Sequence, residues 1–314
     1  AVAGEWIGGM TFFEDRMVAL VTHATATSHL LDLHDATGDS GNTVLDARTA
    51  AAVVGWRDAT TLIVWNPTAE QLEDVSLAER GGPAPPPMAL RDEPFNATWA
   101  GELVLVTTRA VGGRQVSAYA PGVPTPRWQR AVDEVLLVRC AGDVAPPCVA
   151  LVPDGEGVVL RQLEPTTGVL AATVLGRAGD VFDLAVSADG TKLAWSDDTG
   201  RLWQRGLGTN EPARVIGENL VLARTVTFAP DDAVLVGFLG ARRQLGRVMP
   251  GEPLQILWQT TAQVVSLVRP SPDGRRIAFR ERSFASVPIM SPAFLVAFSI
   301  AAMRAACSAA HDSS

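Results

Sequence analysis

One short pattern, present three times, constrains this chain more than any other feature. The copies are Ser187-Ala188-Asp189-Gly190, Ala229-Pro230-Asp231-Asp232 and Ser271-Pro272-Asp273-Gly274, with successive aspartates 42 residues apart. Each lies between short β-prone runs: Leu184-Ala185-Val186 and Leu193-Ala194-Trp195, Val226-Thr227-Phe228 and Val234-Leu235-Val236, Ser266-Leu267-Val268 and Ile277-Ala278-Phe279. Apolar runs flanking an Asp-Gly pair read as a hairpin, because that pair supplies the positive-φ positions of a tight turn. A unit repeated at this interval cannot bury its apolar face alone and must stack on its neighbours. Six residues past each aspartate stand Trp195, Gly237 and Phe279, and the two aromatics are expected to pack between units.

The same interval continues upstream. Turn positions at Asp15, Asp58, Gly101 and Asp143 join the three aspartates at spacings of 43, 43, 42, 46, 42 and 42 residues, making seven units. Further strands follow each hairpin: Arg16 to Ala24, His29 to Leu33 and Thr43 to Leu45 in the first unit, Val149 to Val152 and Val169 to Leu175 in the fourth. Four strands in forty-odd residues is the size of a propeller blade. The expected fold is therefore all-β, a seven-bladed β-propeller of four-stranded antiparallel blades over residues 1–290. Residues 291–314 form a C-terminal tail. Gly81 to Pro87 leaves the sheet, since its prolines cannot donate to a ladder. The seventh unit breaks register after Phe279: Val287 to Pro292 holds two prolines, and Phe294 to Met303 is apolar without alternation. That stretch reads as an outer strand, a packed helix or a membrane-proximal segment, and Ala1 to Glu5 is short for an N-terminal strand that closes the ring.

Charge excludes one class of partner. The formal net charge is −8 and no basic run exists, whereas a nucleic-acid surface needs a basic stripe. Lys192 is the only lysine among 26 basic residues, a bias expected of a GC-rich bacterial genome. No apolar run reaches 18 residues, so membrane contact is expected only through an upstream segment or the tail. With no initiator Met and no signal segment, the chain reads as part of a longer protein.

Ser271 to Phe279, echoed by Ser187 to Trp195, resembles the repeat of TolB-like bacterial propellers. Arg139-Cys140, Pro147-Cys148-Val149-Ala150, Leu163-Glu164-Pro165-Thr166-Thr167-Gly168 and Ile256-Leu257-Trp258-Gln259 follow in an order similar to the C-terminal sensor propellers of bacterial Ser/Thr protein kinases or winged-helix regulators. The likeness covers roughly residues 135 to 285, and Ser286 onward departs from it. It implies a non-catalytic recognition or sensor module binding a protein or a ligand. A periplasmic TolB-like scaffold is the first alternative. A propeller lyase or hydrolase is the second, and would need carboxylates or histidines converging from several inner strands. No kinase motif is present in this sequence.

Cys140 and Cys148 end two runs that read as one hairpin, and directly opposed strand residues lie within disulfide reach. The pair reads as a disulfide, with two reduced thiols the alternative; a metal would want a second pair, and only Cys307 remains. A disulfide would place the domain outside the cytoplasm. Gly38-Asp39-Ser40-Gly41 looks like a serine-protease nucleophile box, but Asn42 replaces the next glycine and a turn explains it. His23, His29 and His34 fall on different strands or opposite strand faces, so no metal is expected there, and no cofactor elsewhere. Arg139 and Arg269 each precede a turn residue by four positions, on the innermost strands of blades four and seven. Both guanidinia could enter the central channel and there hold a small anionic ligand or an acidic protein tail; the alternative is that both pair with local carboxylates.

Overall fold

The computed structural model describes residues 5–13, 16–25, 28–35, 43–45, 52–58, 61–66, 69–76, 87–90, 92, 94–141, 147–239, 242–260, 263–270 and 277–283. These residues form antiparallel sheets in which each strand pairs with the next along the chain. The first sheet holds β1 (Glu5–Phe13), β2 (Arg16–Thr25), β3 (Ser28–Asp35) and β4 (Thr43–Leu45). The second holds β5 (Ala52–Asp58), β6 (Thr61–Asn66), β7 (Gln71–Ser76) and β8 (Met88–Ala89). The third runs through β9 (Pro94–Ala100), β10 (Leu103–Ala110), β11 (Gly113–Tyr119) and β12 (Trp128–Gln129). The fourth comprises β13 (Leu137–Cys140), β14 (Cys148–Asp154), β15 (Gly157–Leu163) and β16 (Leu170–Ala178). The fifth has β17 (Val181–Val186), β18 (Lys192–Asp197), β19 (Leu202–Gly206) and β20 (Arg214–Gly217). The sixth has β21 (Val221–Phe228), β22 (Val234–Leu239), β23 (Arg243–Val248) and β24 (Gln255–Thr260). The last described sheet pairs β25 (Gln263–Pro270) with β26 (Ile277–Ser283).

The described turn positions, Asp58, Gly101, Asp189 and Asp231, fall at or in the link between the first and second strand of a sheet. The first strands neighbour one another in order, β1 beside β5, then β9, β13, β17, β21 and β25, and β25 in turn lies against β1. Asp15, Asp143, Asp273, the Gly38 to Asn42 stretch, Pro83 to Pro86, Cys307 and residues 291–314 lie outside the described residues. One outer strand differs from expectation: after the proline loop the second sheet regains β8, whose Leu72↔Met88 pair buries both side chains.

The turns at Asp189 and Asp231 are larger than a two-residue hairpin. Between β17 and β18 five residues loop out, and Asp189 ties them: its carboxylate accepts from the Ser187 hydroxyl (2.6 Å), the Thr191 amide (3.0 Å) and the Thr191 hydroxyl (2.7 Å). Only Gly190 takes positive φ, at 72°; in the sixth sheet Asp232 fills that place at 68°, a conformation aspartate tolerates better than most residues.

The core lies between sheets. One cluster joins Val149, Leu151, Leu160 and Leu175 of the fourth sheet to Leu184, Leu193 and Trp195 of the fifth; others join the second to the third, the third to the fourth, the fifth to the sixth and the sixth to β25. Trp195 is 1% exposed, as expected of an inter-unit aromatic. It fits because Gly176 of the neighbouring sheet has no side chain: a Cβ there would stand 2.6 Å from the indole. The strand alternation seen in the sequence is thus the alternation between one inter-sheet core and the next.

Candidate functional site

A meander of antiparallel strands puts its links on two faces of the ring. First-to-second and third-to-fourth links share one face, with Asp189 and Asp231. Second-to-third links and the linkers from sheet to sheet share the other, called here the linker face. The innermost strands line the space between.

On those strands the polar side chains bond across sheets. Arg139 on β13 donates to the Asn96 side-chain oxygen on β9, and its guanidinium lies 3.5 Å from Asp183 on β17. Asn96 donates to the Val138 carbonyl at 3.2 Å. Asp183 in turn accepts the Val226 amide of β21 at 2.9 Å. Among the described residues, the carboxylate that meets Arg139 thus belongs to the next sheet, and one polar chain spans the third to sixth sheets. Arg139 keeps 31% side-chain exposure. Arg269 sits on β25 opposite Ala278, and its side chain lies outside the described residues. Sequence periodicity pointed to Arg139 but missed Asn96 and Asp183; their 43- and 44-residue offsets from it were the available signal.

Cys140 and Cys148 are directly opposed on β13 and β14 and joined by a disulfide, with Cα atoms 4.1 Å apart. The Cys140 amide reaches the Thr98 hydroxyl of the preceding sheet at 3.4 Å. This hairpin end therefore sits beside the polar chain that starts at Arg139. Among the histidines, His23 lies on β2 and His29 and His34 on β3. Among the described residues, no group of three or more His, Cys, Asp and Glu could hold a metal ion, and no helix is long and apolar enough to cross a membrane.

On the linker face, the β18–β19 turn is built around buried Asp197. Its carboxylate accepts from the Thr199 amide (3.0 Å) and hydroxyl (2.7 Å), the Arg201 amide (3.0 Å) and the Trp203 indole N–H (2.7 Å). Burial raises its pKa, but the Thr199, Trp203 and Arg201 bonds outweigh that and hold it below the usual carboxylate value. Trp203 stacks on Trp195 with centroids 6.0 Å apart. On the opposite face the Ser187 hydroxyl, with the Thr191 bonds, holds Asp189 at about 2. Asp231 is raised by burial and lowered by its bond to Arg247 and nearby amides, with a net fall. These aspartates work as turn ties, and each is stabilised as the anion.

The linker face also carries an exposed apolar feature. Leu220 is buried and donates its amide to the Gly200 carbonyl at 2.8 Å; Ala223 is buried too. Between them Val221 is 51% and Leu222 38% exposed, within a register irregularity of the β21–β22 pair. Leu222 has φ +51°, a left-handed conformation that costs a branched side chain roughly 1–2 kcal/mol. Val111, 99% exposed at the β10–β11 turn, and Val132 in the linker before β13 stand on this face as well. The links of this face also carry exposed Asp180, Asp198, Arg201 and Glu218, with Arg201 3.8 Å from Glu218.

No family model matches the chain, and no curated protein matches it. Solved structures do. The C-terminal WD40 domain of Sif2 is similar with a TM-score of 0.58 at 13% identity, over 90% of this chain and 80% of that one. Hydrazine synthase of Kuenenia stuttgartiensis is similar with a TM-score of 0.59 at 11% identity, over 88% of this chain and 95% of that one. At such identities the likeness concerns architecture alone. Four-stranded meanders whose first strands neighbour one another in succession, together with these likenesses, make the chain a β-propeller.

Proposed function

We propose that this propeller is a non-catalytic recognition module that holds a protein partner on its linker face, as the sensor part of a longer signalling protein. The observation that carries the reading is the Val221–Leu222 projection. Two apolar side chains are kept in water by buried anchors on either side, one of them at a strained φ, and strain maintained on a surface points to use there. The inner-strand polar groups point the same way, because Asn96, Arg139 and Asp183 are engaged in joining sheets. The Sif2 WD40 likeness is compatible with partner binding but concerns fold only. The Cys140–Cys148 disulfide supports an extracytoplasmic setting.

A channel site for a small anion or an acidic tail is the second reading, favoured by the residual exposure of Arg139 and by the place of Arg269 on β25. The two readings separate on variants. A photo-crosslinker at Leu222 identifies the partner, and its affinity is then measured against V221S/L222G and against R139A/R269A. Linker-face recognition requires the first pair to weaken binding and the second to leave it unchanged; the reverse result moves the site to the channel.

A further inference from the structure

We infer that the outer edge of the sixth sheet pairs with the same edge of a second copy of this chain, forming a two-fold dimer through β24. The outermost strand of a sheet presents unpaired backbone donors and acceptors, and proteins protect such edges by shortness, charge or proline. Among the described residues the other outer strands are so protected. β4, β8, β12 and β20 have 3, 2, 2 and 4 residues. β16 has nine but carries a charged residue, Arg177, which pairs with Asp154. β24 has six residues, Gln255-Ile256-Leu257-Trp258-Gln259-Thr260, with no charge and no proline. Ile256 is 40% exposed and Leu254, just before it, 36%. Among the described residues no strand lies on its outer side.

The sequence of this edge selects its occupant. Gln255 to Gln259 has the same pattern read in either direction, polar-apolar-Leu-apolar-polar. An antiparallel pairing of two copies about Leu257 sets Gln255 against Gln259 of the partner subunit, Ile256 against Trp258 of the partner subunit, and Leu257 against Leu257 of the partner subunit. Amide-to-amide and aromatic-to-β-branched pairs are favourable opposite each other, and a self-complementary patch is what a two-fold interface needs. The strand's one irregularity is at Leu257, which has no register partner on β23; it falls on the two-fold axis, so both copies bend there together. An uncharged seam also spares two chains of net charge −8 a like-charge contact. The ribbon is short, so association is weak and concentration-dependent. It leaves both ring faces of each copy open, and thus stands or falls independently of the linker-face reading.

Sedimentation of the full chain across a concentration series tests this. The wild type is expected to pass from 33.2 kDa toward twice that mass. Q255E/Q259E places like charges opposite each other twice and should raise the dissociation constant about tenfold or more. Q255K/Q259E places opposite charges there and should lower it, while Q129E/Q162E, with the same added charge elsewhere, should have a smaller effect than Q255E/Q259E. A wild type that stays monomeric at all concentrations overturns the proposal, as does a dimer that responds equally to all three variants.

Discussion

Replacing Asp183 by alanine tests whether the polar chain holds neighbouring sheets together. Asp183 is 16% exposed at its side chain, accepts the Val226 amide at 2.9 Å and faces the Arg139 guanidinium at 3.5 Å. Its removal leaves the Val226 amide without that carboxylate, and a hydrogen bond to a charged group contributes about 1.5–3 kcal/mol. It also leaves Arg139 partly buried without its counter-ion; at 31% exposure water recovers most of that, so about 1 kcal/mol is added. The sum is about 3 kcal/mol. For a domain of this size each kcal/mol lowers the Tm by roughly 2 °C, so calorimetry should show a fall of about 6 °C. D183N keeps an acceptor for Val226 and should lose about half as much. A double-mutant cycle with R139A should return a coupling of about 1 kcal/mol, since residues in contact do not add. A loss below about 1 kcal/mol for D183A, or strict additivity with R139A, would refute the idea that these side chains join the sheets.

Three further outcomes follow from the same structure. D197A strips the acceptor from the Trp203 indole and the turn amides, and urea unfolding should show a loss of about 3 kcal/mol at neutral pH. Because the folded carboxyl titrates below its unfolded value, that contribution is complete above about pH 4 and fades as pH falls through the folded pKa, so the gap between wild type and D197A should narrow in acid. C140S/C148S opens a loop closed across a sequence separation of 8 and should cost about 2.5 kcal/mol under non-reducing conditions; a dithiol should bring the wild type down to the variant, and a wild type indifferent to reductant would contradict the cross-link. G176A drives a methyl to 2.6 Å from Trp195 and should cost about 2 kcal/mol, with near-ultraviolet circular dichroism reporting the displaced indole.

The repeat made the architecture legible because each Asp turn marks a fixed point in a unit whose strands alternate between two cores. Leu184, Leu193 and Trp195 announced themselves as strand residues through apolar spacing alone. The cysteine pair was legible for a related reason, since register places residues flanking one hairpin link opposite each other. What stayed hidden depends on contacts between units. Asn96 and Asp183 look like ordinary strand polar residues until the ring sets them beside Arg139. β8 was hidden because two residues after a proline loop carry no periodicity. The exposure of Val221 and Leu222 was equally invisible: a Val-Leu pair opening a strand reads as core, and only the bulge, with φ +51° at Leu222, turns it to water.

A protein partner held on the linker face, as proposed, must touch Val221 and Leu222. Isothermal titration of the partner captured through Leu222 against V221S/L222G tests it most directly, because glycine accepts the positive φ and removes only the projecting side chain. Binding is expected to be at least tenfold weaker, about 1.4 kcal/mol, with the Tm within about 2 °C of wild type and R139A/R269A binding as before. Undiminished binding by V221S/L222G, with loss in R139A/R269A, would contradict it.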